Sequence, residues 1–328
     1  MGNVFAAGNP TPTSTVSGIG TMPSPPSSPI AQLAKNANGG ESEDLPNPGK
    51  FEDLHSKVKE LMPMAFEGCK LLINKGLTNH FQVGHQITLS SDKEKSGYHF
   101  NATYVGDKQL SPTESFPVLL GDIDTNGNLQ AQCIHQLTDR IRAKALVQTQ
   151  QSAWSVAQFD CEYKGPSYTA TVTAANPDFI NESGIFVAQY LQSITKKLAL
   201  GTQILYQYGQ GQEMSEVSLT GRYTGDNWIA TGAFSPAVVH LSYYHKGQNN
   251  VQIGVEFESR MGETATTLGY QVDVPQANLT FKGSLDTNWR VAAVMEKKLQ
   301  PIPFTFMLSG VLDHSKSRFL AGFGLMIG

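Results

Sequence analysis

An all-β fold is predicted for everything after about residue 70 by three observations. Windows of about ten residues alternate apolar and polar side chains, turn signals separate them at even spacing, and no segment in this region carries a convincing helical stripe. "NVQIGVEFES" sets Val251, Ile253, Val255 and Phe257 against Gln252, Gly254, Glu256 and Glu258. "QANLTFKGSL" sets Ala277, Leu279, Phe281 and Leu285 against Asn278, Thr280, Lys282 and Ser284. A soluble sandwich turns such a face inward and a membrane barrel turns it to lipid, so periodicity leaves both open.

Residues 1–48 precede the strands and are rich in Pro, Ser, Thr, Gly and Asn, as in "TPTSTVSGIGTMPSPPSSPI". Few large apolar groups are present to offset ordering entropy, so a disordered extension is expected. "MGNVFA" approaches a myristoylation pattern but has Ala6 where Ser or Thr is wanted.

Residues 49–68 are expected to form an amphipathic helix and a linker. In "KFEDLHSKVKELMPMAF", Phe51, Leu54, Val58, Leu61 and Met62 recur at helical spacing, while Glu52, Asp53, Lys57, Lys59 and Glu60 take the other positions. The spacing predicts some 16 residues of helix, about 24 Å, interrupted or kinked near Pro63.

Residues 69–328 carry the strands. "TNGN" at 125–128, "KGPS" at 164–167, "GQGQE" at 209–213 and "KGQNN" at 246–250 are among the turns. The windows have the length that membrane strands need, about 9 to 11 residues. Aromatics gather toward window ends, at Tyr98 and Tyr104, Tyr243 and Tyr244, and Trp289, as interfacial girdles require. The last strand sets Phe319, Ala321, Phe323, Leu325 and Ile327 against Leu320, Gly322, Gly324 and Met326. These features favour a barrel without deciding it.

Composition excludes several functions. A formal net charge of -4 gives no general footprint for nucleic acid. Cys69, Cys133 and Cys161 are odd in number and widely spaced, which argues against a disulfide framework and a zinc site. His80 and His85, like His240 and His245, are five apart, so they face opposite sides of a strand and do not share a metal. No nucleophile elbow, phosphate loop or paired catalytic constellation appears, so neither an enzyme nor a cofactor is expected. No window approaches the roughly 20 apolar residues of a membrane-spanning helix.

Particular stretches then narrow the reading. "INKGLTNHFQV", "KQLSPTESFPVLLGD", "AQYLQSIT", "NWIAT", "YYHK", "IGVEFESR" and "GFGLMIG" resemble the channel subunit of the translocase of the outer mitochondrial membrane, a eukaryotic porin family, from about residue 50 to 328. The resemblance implies a barrel of nineteen strands, the number known for the related voltage-dependent anion channel. An odd count makes first and last strands parallel, and a helix threaded through the lumen returns the tail to the C-terminal side, which in the family is the intermembrane space. The implied function is conduction of unfolded precursors with basic targeting sequences; a metabolite porin of the anion-channel kind is the alternative, and a soluble β-rich binding domain the rival from another class.

Site candidates follow from alternation and resemblance together. Asp160, Glu162, Glu256 and Glu258 are expected to line the pore and attract cationic segments, with Arg140, Arg142, Lys144, Lys282 and Arg290 sharing the lumen. Phe51, Leu54, Val58 and Leu61 form the apolar face of the lumen helix. Lys75 sits on an apolar strand face, where a lysine at the bilayer midplane costs about 2 to 4 kcal/mol. It is expected to meet a lipid phosphate or a partner's polar group, the bland alternative being that it snorkels to the interface alone. The family's C-terminal insertion signal is matched by Gly322, Leu325 and Ile327, with Leu320 where a polar residue belongs. Implied partners are precursor proteins, receptor and small single-helix subunits, intermembrane-space chaperones, membrane lipid including a structural phospholipid, and a second barrel.

Overall fold

The computed structural model describes residues 45–328 apart from 93–95, 112–113, 152, 179–181, 210 and 249. Residues 1–44, most of the expected disordered extension, lie outside the described part. Residues 45–48, assigned by composition to that extension, are instead fixed. Asn47 donates through Nδ2 to the carbonyls of Gly165 at 2.8 Å and Tyr168 at 3.1 Å, and Ser193 donates to the carbonyl of Pro46 at 2.7 Å.

Nineteen strands, numbered in chain order from β1 (Gly68–Gly76) to β19 (Arg318–Ile327), form one sheet. Each pairs antiparallel with its neighbours in sequence, and β1 closes the ring by pairing parallel with β19 from Gly68↔Gly322 to Ile73↔Ile327. Closure leaves no free edge, which is what the absence of water in a bilayer demands of strands. No helix among the described residues is long and apolar enough to cross a membrane. The strands are the crossing elements.

The direction of the apolar faces is decided by what touches the interior. A Cβ on Gly254, in β14 (Val251–Arg260), would come within 2.9 Å of Leu61 of the N-terminal helix, so Gly254 faces the lumen. By alternation Gln252, Glu256 and Glu258 share that face while Val251, Ile253, Val255 and Phe257 look outward. Outward side chains stay bare: Phe159, Leu219 and Phe323 are 50%, 62% and 41% exposed. Among the described residues buried apolar side chains are few, and one cluster of them, Leu54, Leu191 and Ala199, joins the N-terminal segment to the wall.

Stacked aromatics on the outer wall mark one rim. Tyr163 at the end of β7 (Ala153–Lys164) stacks on Tyr168, which meets Tyr190; further round, Tyr223 stacks on Trp228, which meets Tyr243. Amphipathic rings at this level suit a membrane–water interface.

The helix is shorter than the spacing suggested. A 3-10 turn, Glu52–His55, runs into α1 (Ser56–Leu61), and Met62 leaves it in an extended conformation, φ -67 and ψ 130. Pro63 is the cause, since the residue before a proline is excluded from the helical region by the ring. Ten residues rise about 17 Å, and residues 63–67 that follow are neither helix nor strand. The segment nonetheless crosses the lumen from end to end: Asn47 is held at the β7–β8 turn, and Glu67 pairs at 3.7 Å with Arg318, the first residue of β19, at the opposite rim. The odd strand count puts the start of β1 and the end of β19 at opposite rims, and this crossing brings the N-terminal segment to the rim where β19 ends.

Candidate functional site: the lumen wall and its helix

Leu54, Val58 and Leu61 point at the wall and are 4%, 2% and 2% exposed. Leu54 and Phe51 pack on Leu191 of β9 (Ser183–Ser193) and Ala199 of β10 (Leu198–Gly209). The wall is trimmed to receive them. Gly254 accommodates Leu61 and Val58, and a Cβ on Gly269 of β15 (Glu263–Val274) would meet the Met62 sulfur at 2.8 Å.

Polar groups complete the seat. Thr231 donates to the Leu54 carbonyl at 3.1 Å, Arg222 to the Pro48 carbonyl, and Lys282 to the Glu60 carbonyl at 2.8 Å. A cation on the last turn of a helix satisfies a carbonyl that has no partner within the helix and opposes the negative end of its dipole.

Charges from the wall meet charges from the segment. Lys50 Nζ lies 2.9 Å from Glu162, and Lys144 lies 3.8 Å from Asp160 and 4.0 Å from Glu52. His55 stacks on His240 of β13 (Val238–Lys246), ring centroids 3.8 Å apart, and His240 Nε2 lies 2.7 Å from Glu256. His55 Nδ1 is 2.8 Å from Ser242 Oγ, while its Nε2 is buried without a partner. Burial, then repulsion from His240 and Lys59, pushes the His55 pKa down to about 4, against an opposing pull from Glu256.

The structure gathers most of the residues named from sequence. Asp160, Glu162, Arg142 and Lys144 line one recess with Lys50, Phe51 and Glu52. Arg142 also lies over the Phe116 ring at 5.1 Å. Glu256 and the exposed Glu258 share the inner face of β14, and Lys282 reaches the helix. Arg290 opens β17 (Arg290–Leu299) on the side of the inward-facing Val294, at the rim where Arg318 lies. Arg140 departs from expectation: it sits in the turn before β6 (Ile141–Gln150) beside Tyr163, whose ring belongs to the outer aromatic rim. A turn residue lies outside the strand alternation from which its direction was read.

Lys75 projects outward from the penultimate position of β1, opposite Val83. On the same face His85 Nδ1 meets the Tyr98 hydroxyl at 2.7 Å. Gly322 lies inward under Phe66, while Leu325 and Ile327 look outward and pair in register with Leu71 and Ile73.

Two features of the seat escaped the sequence reading. His55 falls four residues after Phe51 on the apolar stripe, a signal that was legible. Its stacking partner was not, because it depends on the β13–β14 pairing, which sets His240 opposite Glu258 and diagonal to Glu256.

The eukaryotic porin family model matches residues 47–323. The chain belongs to the eukaryotic porin family. Among curated members of similar sequence, the mitochondrial import receptor subunit TOM40 homolog of Xenopus tropicalis is 50% identical over 100% of both chains. The human protein of that name is 52% identical over 95% of this chain and 88% of its own length. Human mitochondrial import receptor subunit TOM40B is 47% identical over 87% of this chain and 93% of its own. Within this porin the resident helix and the charged wall are therefore the features that distinguish the lumen from a bare pipe.

Proposed function

We propose that the chain is the protein-conducting channel of the mitochondrial outer membrane, a β-barrel translocase subunit through which unfolded precursors with basic targeting sequences cross a polar lumen. The observation that carries this reading is identity of about half over the whole length to proteins named as mitochondrial import receptor subunits. The barrel supplies the physics. Apolar outward faces match lipid, and a wet lumen of mixed charge offers many weak contacts without one deep trap, which conduction needs. The chain acts as a conduit and performs no bond chemistry.

The same reading supplies partners. Single transmembrane helices of receptor and small subunits pack on the outer wall, chaperones collect substrate beneath the pore, and a second barrel meets this one near the β1–β19 seam, with lipid between them at Lys75. A metabolite porin is the lesser alternative, since the near-complete matches are to import subunits.

Replacement in cells tests the reading. With the endogenous import subunit depleted from cultured human cells, expression of this chain should restore uptake of a matrix-targeted reporter. Restored outer-membrane permeability to small metabolites without reporter uptake would overturn it in favour of the porin.

A further inference from the structure

One lumen acid, Glu162, is already paired with the chain's own N-terminal segment, and a second, Glu256, holds a wall histidine on which that segment stacks. Glu162 holds Lys50, and Glu256 holds His240 against His55 with Lys59 nearby. Below the acids the wall is stripped of side chains at Gly254 and Gly269 so that one apolar stripe fits closely. Two helices pack with axes about 8 to 10 Å apart, so this surface seats one helix at a time.

We infer that the inner wall of β13–β15, with Glu256 on it and Glu162 at the far end of the segment's path, is a receptor groove for cationic amphipathic helices, and that residues 52–61 are its built-in occupant, displaced when a targeting segment binds. The inference rests on the import reading and names where in the lumen such a segment is received. Resident and incomer share an apolar stripe at helical spacing, and Lys50, Lys57 and Lys59 give the resident basic groups beside its acids Glu52, Asp53 and Glu60.

Displacement is physically cheap. A ten-residue helix is marginal by itself in water and depends on its docking contacts. Its tethers lie elsewhere: Asn47 at one rim, and Phe66, whose N–H donates to Ser309 at 2.9 Å, near the other. The intervening residues 49–65 can reach about 56 Å when extended, whereas the apolar band is about 25 Å tall. The segment has slack to leave the groove while staying inside the barrel.

A disulfide lock tests the inference. A Cβ on Gly254 would stand 3.1 Å from Val58 Cγ1, so Val58→Cys with Gly254→Cys brings two thiols into bonding range, in a background where Cys69, Cys133 and Cys161 are serine. The full chain is reconstituted in planar bilayers, and the probe is a synthetic helical peptide with arginine on one face and leucine on the other. Block of conductance by the peptide should be weaker by about tenfold or more in the oxidised form, and reduction should restore it. Equal block in both forms overturns the inference and leaves the import reading standing. No block in either form removes both.

A second variant has the opposite sign. Leu54→Asp with Leu61→Asp unseats the resident helix and should tighten peptide block severalfold. Unchanged or weaker block overturns the inference, and this arm decides if the cysteine pair does not insert as an open channel.

Discussion

Gly68 and Gly322 face each other across the parallel seam, and each stands where a Cβ would strike backbone: the Leu89 carbonyl oxygen at 2.0 Å for Gly68, the Phe66 carbonyl oxygen at 2.2 Å for Gly322. Gly68 also adopts φ +82, which L side chains rarely take. Here the chain leaves the lumen and enters β1, so the last residues before the strand must pass directly over β19. Gly322, expected from sequence to belong to an insertion signal, lets the seam close.

Gly322→Ala is accordingly expected to cost about 1 to 3 kcal/mol, as overpacking of a fixed backbone does. Urea unfolding of the refolded barrel in lipid vesicles should give a lower midpoint with the slope unchanged. A midpoint equal to that of the unaltered chain would refute a part for Gly322 in closing the seam.

Helix docking should weaken in acid. His55 has a pKa near 6.5 when undocked and about 4 when seated beside His240. Above pH 6.5 both states are neutral and docking is insensitive to pH. Between pH 6.5 and about 4 the undocked state takes a proton that the docked state refuses, so docking is lost progressively, by at most about tenfold per pH unit. The groups facing His55 are His240 and Ser242 from β13, Glu256 from β14 and Lys59 from its own helix. Hydrogen exchange of amides 54–61, corrected for intrinsic rate, should therefore speed up from pH 7 to pH 5, and His55→Asn should flatten that response. Equal protection of these amides at both pH values would refute the account.

Lys75 lies one residue from the end of β1, so the depth-dependent cost of an outward lysine is nearer about 0 to 1 kcal/mol than its midplane value. Snorkelling alone would make Lys75→Leu silent. A shared site with His85 and Tyr98, diagonal neighbours on the same outer face, makes it weaken contact with a second barrel or a bound phospholipid. The expected result is a shift of the assembly to smaller species on native gels and less co-purifying phospholipid. An unaltered complex would support snorkelling.

Much of this architecture was legible because a strand's two faces meet different solvents. Val251, Ile253, Val255 and Phe257 declared one side of β14, and contact between Gly254 and Leu61 showed which side was wet. Legibility failed where the chain leaves alternation. Arg140 lies in a turn, so its direction could not be read from its parity. Asn278, read as part of a strand, caps a 3-10 turn, Pro275–Ala277, in a left-handed conformation. The helix is shorter than the roughly 16 residues expected because Pro63, where an interruption was expected, already removes Met62 from it. Pairs such as Lys50 with Glu162 were hidden, since they depend on register and on the path of the segment across the lumen.

The lumen acids should separate into two classes. Replacing Asp160, Glu162, Glu256 and Glu258 together by their amides is expected to lower cation preference and weaken binding of a basic peptide. Single replacements divide the effect. Glu162→Gln frees Lys50 and Glu256→Gln frees His240, so each loosens the resident helix while also removing a contact for the incomer, and the two consequences offset. Glu258 is exposed on the same face of β14, two residues beyond Glu256. Glu258→Gln removes attraction without releasing the helix, so it should weaken peptide block more than either of the other two single changes. Single-channel recordings across a salt gradient and a peptide titration measure both quantities. A ranking in which Glu162→Gln is the most damaging would mean that the peptide binds with the resident helix still in place.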